Sequence, residues 1–357
     1  MLNKIIKFSL ENRLIIVLLV SISIGLGVRA IWQTPVDAFP DSTPIQVQIN
    51  TTASALSPEE IEQQITLPIE LTISGLPGLQ NVRSISKFGL SQVVAPFDDD
   101  THIYDARQLI LERLGSVNLP IGIDSPELGP ISTGLGEVFH YTIRSTDPDR
   151  TLDELRSLHD WVIKPELRKI AGVAEVNSWG GFEKQYQVVV DPNNLIRFNL
   201  TLDDVFRALE QNNKNIGGGQ IVSSGQSFLV HGIGRVSTIK QIENIVIKAI
   251  EGTPILIGNI ADVIVGHEIR RGAVSASGEG EVVLGLGFML MGQNSNEVTR
   301  NLKIQLQSVQ KSLPDDIIVE IVYDRTELVK EVIGTVERNL LAGALLVILV
   351  LFLLLGN

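Results

Sequence analysis

Apolar residues gather at the two ends of this chain and alternate with polar ones between them. Residues 14–28 and 340–356 run without a charge. A bilayer core takes roughly 20 apolar residues. The second run approaches that length by itself, and the first reaches it when Ala30, Ile31 and Trp32 extend it past Arg29. Both predict transmembrane helices. Lys4, Lys7 and Arg13 precede the first run, a pattern shared with secretory signal peptides. No A-x-A-like cleavage site follows, and Gly25, Gly27 and the Arg29/Trp32 pair read as a helix end at a headgroup interface, which favours an uncleaved anchor. The same basic residues place the N-terminus in the cytoplasm and the long middle segment on the far side.

That middle segment repeats itself. A shift of 94 positions superposes Ser57-Pro58-Glu59-Glu60 on Thr151-Leu152-Asp153-Glu154, Gly78 on Gly172, Val82 on Val176, Ser84 on Ser178 and Phe88 on Phe182. Each copy opens with Ser or Thr three residues ahead of Glu, a capping box that satisfies orphan backbone donors at a helix start. The spacing predicts helices over 58–73, with Pro58 at the first position, and over 152–170, with a kink at Pro165. Paired strands follow at 81–86 and 91–97 in one copy, and at 174–179 and 184–190 around Gly180-Gly181 in the other. Second helices are expected at 104–114 and 201–211, and leading strands at 45–51 and 138–143. The order β-α-β-β-α is that of a split βαβ, ferredoxin-like unit with two helices on one sheet face.

Short β-prone stretches rich in glycine then run from Gly217-Gly218-Gly219 to Val263-Ile264-Val265 and predict a small inserted mixed sheet. A strand at 282–289, a helix at 295–312 capped by Asn294 with Glu297 behind it, and a strand at 317–323 supply the remaining pieces of a split βαβ sheet. The last helix starts near Thr326 and continues into the apolar run. The fold class is therefore membrane α+β: two transmembrane helices bracketing two ferredoxin-like units and an inserted mixed sheet.

Composition narrows the chemistry. The chain has no cysteine, so disulfides and thiolate metal sites are excluded and any metal must use oxygen or nitrogen ligands. A formal net charge of -12 opposes nucleic-acid binding and is compatible with cationic cargo. No Ser/His/Asp, phosphate-cradling or zinc-finger pattern is present, so the reading is neither an enzyme nor a cofactor protein. Met289-x-Met291 is thin as a soft-metal site and suits core packing. Adjacent residues of a strand diverge, which weakens His267-Glu268, and the Asp98-Asp99-Asp100 turn reads as solvated. His102, His159 and His231 have no partner at ligand spacing.

Several strings carry a resemblance: Pro35-Val36-Asp37-Ala38-Phe39-Pro40-Asp41, Leu56-Ser57-Pro58-Glu59-Glu60, Gly75-Leu76-Pro77-Gly78, Arg83 to Gln92, Ala106-Arg107-Gln108-Leu109, and Glu127 to Glu137. Together they resemble the heavy-metal efflux branch (CusA/CzcA-like) of the RND transporters, the Glu127 to Glu137 stretch most specifically. This stretch argues against the protein-export relatives that share the membrane architecture. The resemblance implies an N-terminal helix at 1–35, a first porter subdomain at 36–134, a second at 135–182 and 274–325, a docking subdomain at 183–273, and a second helix at 326–357. It further implies a homotrimer in the inner membrane of a Gram-negative bacterium, mostly periplasmic, that exports metal cations in exchange for protons through a periplasmic adaptor and an outer-membrane channel. Family members are about three times as long, so the chain is expected to be the N-terminal portion of such a pump. The alternative expectation is a membrane-tethered periplasmic interaction module without transport.

By the same resemblance, Glu137 lies where the chain passes between porter subdomains and would face the cargo cleft. It is the preferred metal contact. His140 lies three residues on, so in a strand it points to the opposite face from Glu137 and should not share one ion with it. Gly217, Gly218 and Gly219 open a loop that would reach from the docking subdomain into a neighbouring protomer.

Overall fold

A computed structural model describes residues 11–33, 43–53, 56–120, 122–250, 252–270, 272–278 and 280–355. Lys4, Lys7, the Pro35 to Asp41 string, Gly356 and Asn357 lie outside the described residues, as does the side chain of Trp32. Helix α1 (Arg13–Gln33) does not end at Gly25 or Gly27 but continues through both. Its apolar stretch, Arg13–Gly27, is the shorter of two. The other belongs to α9 (Arg325–Leu355), which is long and apolar enough to cross a membrane.

The first repeat folds as β1 (Gln46–Thr52), α2 (residues 58–73), β2 (Arg83–Lys87), β3 (Leu90–Pro96), α3 (Ile103–Leu114) and the short β4 (Glu127–Leu128). Its sheet has the order β2-β3-β1-β4. Ile61, Ile65, Ile69 and Ile73 of α2 and Ala106, Ile110 and Leu114 of α3 share one core with Val47, Ile49, Val93 and Ala95, so both helices cover the same face. Ser57 caps α2 as expected: its hydroxyl accepts from Glu60 N at 3.3 Å, and Glu60 Oε2 accepts from Ser57 N at 2.9 Å.

The second repeat departs from its local prediction. Strand β5 (Glu137–Ser145), α4 (residues 152–168) and β6 (Val173–Trp179) come first. Strand β7 (Lys184–Val190) does not fold back on β6; it pairs with β12 (Ala261–His267). The neighbour of β6 is β13 (Val283–Met289), and the sheet order is β14-β5-β13-β6, with β14 at Ile317–Asp324. The cause is burial. β13 is apolar throughout and fits a central position between two partners, whereas β7 opens with Lys-Gln-Tyr-Gln and suits an edge. Gly180 and Gly181 both hold positive φ, 72° and 65°, which turns the chain out of the sheet. The helix at Leu202–Gln211 likewise leaves this unit, and α8 (Ser295–Gln310) takes its place beside α4.

Between β6 and β13 the chain enters and leaves on the β7–β12 pair. It forms α5 (Pro192–Phe198), α6 (Leu202–Gln211), β8 (Ile216–Ser223), β9 (Gln226–Gly232), α7 (Ile239–Glu243), β10 (Val246–Ile250) and β11 (Thr253–Leu256) around a core of its own.

Pro165 neither ends nor simply kinks α4. Each long helix carries a π turn ahead of its proline: Glu62–Thr66 before Pro68, and His159–Ile163 before Pro165. The amides of Leu67 and Lys164 reach back five residues to Glu62 O and His159 O. The extra residue lets the helix pass a ring that lacks an N–H and would otherwise meet the preceding turn. The caps repeat at an offset of 94 and the π turns at 97, so α4 has one more turn before its π segment.

Gly285 in β13 lies under the Tyr141 ring, which occupies the space a Cβ would need. Gly285→Ala should overpack this core and cost about 1–3 kcal/mol. The expected outcome is a thermal midpoint lower by at least about 2 °C in detergent micelles; an unchanged midpoint would contradict the packing described.

Candidate metal-contact site

The stretch leading to Glu137 is stitched to both sheets. Glu127 and Leu128 pair with Asn50 and Ile49 of β1, Gly129 N donates to Gln48 O at 2.8 Å, and Arg107 Nη1 from α3 donates to Gly129 O at 2.6 Å. Further on, Met291 N donates to Ile131 O at 3.0 Å. Residues Gly134–Gly136 then make a 3-10 turn in which Gly136 packs against Ser132 and Met289 O, leaving no room for a Cβ. This turn delivers Glu137 to the first position of β5.

A bulge decides where Glu137 points. Gly287 of β13 faces Phe139, and the next residue, Phe288, faces Glu137, so Val138 is an extra residue in β5. Alternation is broken there, and Glu137 and His140 come to one face. This corrects the expectation from strict alternation: Glu137 Oε1 lies 2.6 Å from His140 Nε2. The contact is close in distance but off the direction of an aligned ring N–H hydrogen bond, and Nε2 is shielded from solvent. Burial pushes the His140 imidazole below its ordinary value, with the Glu137 charge opposing. The side chains remain 35% (Glu137) and 25% (His140) exposed, so solvent reaches part of each side chain while Nε2 stays covered.

The pair adjoins the root of α9. The His140 ring lies 4.8 Å from that of Tyr323, and Arg325 Nη2 donates to Glu137 O at 3.3 Å. Asp324 between them is buried; it accepts from Lys303 Nζ of α8 at 2.9 Å and from Thr326 N at 2.8 Å. Its carboxyl is raised by burial but lowered further by the Thr326 and Lys303 hydrogen bonds, and stays below the usual carboxylate range. Strand β14 thus runs into α9 without a loop, through a buried and fully bonded carboxylate.

The AcrB/AcrD/AcrF family description matches residues 5–357. The chain belongs to this family. Within it, the chain is 49% identical to Protein HelA of Legionella pneumophila and 44% identical to the cobalt-zinc-cadmium resistance protein CzcA of Cupriavidus metallidurans, in each case over 100% of this chain and 34% of the relative. It is 37% identical to the cation efflux system protein CusA of Escherichia coli over 98% of its length. The fold matches the crystal structure of a heavy metal efflux pump with a TM-score of 0.88 and 32% identity, covering 97% of this chain and 35% of that one. The chain therefore spans about a third of the length of the relatives it matches.

In this AcrB/AcrD/AcrF family member, Gly217, Gly218 and Gly219 do not open a loop; they lie in β8. That strand pairs with β9 in an exposed ribbon turned by Ser224 and Gly225, both at positive φ. Gly218 lets the backbone lie against Val230, where a Cβ would clash, and Gly219 holds φ 77° beside a bulge between Gly217 and Gln220. Every residue of β9 is exposed, including Phe228 and Leu229.

Met289 is buried in the second core and is the last residue of β13, so Met289 and Met291 share no strand face. His267 stacks on Phe182 at 4.5 Å, and Asp98 to Asp100 are exposed at a turn. Among the described residues no group of three or more His, Asp or Glu could hold a metal ion.

Sequence reasoning missed the buried network around His159. This residue is 0% exposed; its Nε2 lies 2.8 Å from Tyr141 Oη and its Nδ1 2.7 Å from Ser178 Oγ. Ser178 Oγ also bonds Asp160, whose other oxygen accepts from Arg156 Nε at 2.7 Å. One proton arrangement satisfies every member: Tyr141 donates to Nε2, Nδ1–H donates to Ser178, and Ser178 donates to Asp160. Burial holds the His159 imidazole below its ordinary value, with Asp160 opposing, and burial with the Asp160 charge pushes the Tyr141 phenol up. Asp160 is raised by burial, but its bonds to His159, Ser178 and Arg156 outweigh that and hold it low. No linear signal marks this network, because its members come from β5, the π turn and β6.

A neutral His159 implies an acid-sensitive fold. The unfolded imidazole takes up a proton below its ordinary value of about 6.5, while the folded one resists, so stability falls as pH drops from there toward the lowered folded value. Thermal midpoints should decline from pH 7 to pH 5, and less steeply in His159→Gln; equal slopes would contradict the assignment.

Proposed function

We propose that this chain is the N-terminal portion of a proton-driven heavy-metal pump subunit in the inner membrane of a Gram-negative bacterium. The observation that carries the reading is the fold match to a heavy metal efflux pump over 97% of the chain. In this reading α1 and α9 cross the bilayer within 1–35 and 326–357. Residues 36–134 form one porter subdomain, 135–182 with 274–325 the second, and 183–273 a docking subdomain. Three copies assemble, each ribbon around Gly217 to Gly219 reaching into its neighbour, and the trimer passes metal cations to a periplasmic adaptor and an outer-membrane channel.

Three physical features support parts of this reading. The ribbon exposes Ile216, Ile221, Val222, Phe228, Leu229 and Ile233, an apolar surface suited to burial against another chain. Glu137 supplies an oxygen donor to cargo on a wall reached by solvent. The loop-free β14–α9 junction means that a shift of the membrane helix moves the strand beside Glu137, which is the connection a membrane-powered release step needs.

A metal-tolerance assay in an efflux-deficient bacterium tests the pump reading, comparing the chain alone with the chain fused to the C-terminal part of the Legionella relative, across zinc, cobalt, cadmium, copper and silver. Tolerance only in the fusion is expected; none in either would favour a membrane-tethered interaction module. For the ribbon, Leu229→Asp should weaken self-association about tenfold or more, as for a buried interface anchor. Mass photometry in detergent that shows unchanged assembly would remove the ribbon from the interface.

A further inference from the structure

The geometry points to His140 as a second ligand to the ion that meets Glu137, making a mixed nitrogen and oxygen site that selects borderline divalent cations such as Zn2+ over soft monovalent ones. This inference rests on the pump reading above and adds a selectivity residue to it. Three observations carry it. The Val138 bulge breaks alternation at the one place where that brings Glu137 and His140 to the same face. Glu137 Oε1 and His140 Nε2 are 2.6 Å apart, yet misaligned for hydrogen bonding, so Nε2 has no aligned hydrogen-bond partner among the described residues. Chain atoms hold the rest of the ring: Tyr323 packs against it, and β14 and β13 flank β5 on either side.

Distances favour a shared ion. Two ligands at about 2.0–2.2 Å from a tetrahedral zinc lie roughly 3.3–3.6 Å from each other. Entry of a cation would therefore spread the two atoms by about 1 Å, which a rotation of the partly exposed Glu137 side chain can supply. Imidazole nitrogen with carboxylate oxygen suits zinc-like ions, whereas Cu(I) and Ag(I) favour sulfur. With two protein ligands and the remaining positions left to water, binding stays weak enough for release, as passage of an ion requires.

The test is Zn2+ binding to the full purified chain in detergent by isothermal titration, together with zinc K-edge absorption. His140→Gln and Glu137→Gln should each weaken binding at least tenfold, the double variant should lose less than the product of the two, and His140→Gln should remove the imidazole scattering signal. His140→Cys, which replaces nitrogen by sulfur in a chain without native cysteine, should shift preference toward Ag+ and serves as a gain of function that a misfolded variant could not show. If His140→Gln and His140→Cys leave affinity and preference unchanged while Glu137→Gln weakens binding, this inference fails and the pump reading stands. If Glu137→Gln is also without effect, the site itself is wrong, and the tolerance assay then decides separately on the pump.

Discussion

The return of β13 to the centre of the second sheet is the constraint on which the rest depends. Because it lies between β5 and β6, the segment that would have made a hairpin is expelled as a separate unit on the β7–β12 pair. Its pairing with β5 forces the bulge at Val138, and that bulge gathers Glu137 and His140. Its Gly285 admits the Tyr141 ring, which reaches through to the π turn of α4 and completes the hydrogen bonds of His159. A buried imidazole left without partners would cost about 1–3 kcal/mol, so the glycine, the ring and the π turn are one packing solution.

Elements with local causes were legible in the sequence. The capping residues Ser57 and Asn294, the helices they start, the first repeat and the apolar α9 follow from short-range patterns, and the structure places them as expected. What was not legible was set by competition between distant segments. Nothing near Gly180-Gly181 announces that a strand 100 or so residues on will outcompete β7; only the all-apolar composition of β13 hints at a central position. The face shared by Glu137 and His140 was hidden for a related reason, since a bulge arises from the partner strand and not from the residues it displaces. The resemblance of Glu127 to Glu137 to heavy-metal pumps singled out Glu137 as a candidate and gave no sign of the His140 side chain beside it.

The junction of β14 and α9 joins this local chemistry to the helix that is long and apolar enough to cross a membrane. Asp324, buried and bonded to Lys303 and Thr326, fixes the first turn of α9 to α8, while Tyr323 and Arg325 on either side touch His140 and the Glu137 carbonyl. Four consecutive residues therefore join a partly exposed donor pair, a buried anchor and a membrane-length helix. In the proposed pump such a path would let movement of the helix reach the Glu137–His140 pair, whose donors are oxygen and nitrogen.

In the proposed site, the bulge opposite β13 gathers Glu137 and His140 around one cation. A structure of the chain with Zn2+, phased at the zinc edge, addresses it most directly. The account predicts an anomalous peak about 2.0–2.2 Å from both Glu137 Oε1 and His140 Nε2. A peak bound by Glu137 alone, or none on this face of the sheet, would contradict it.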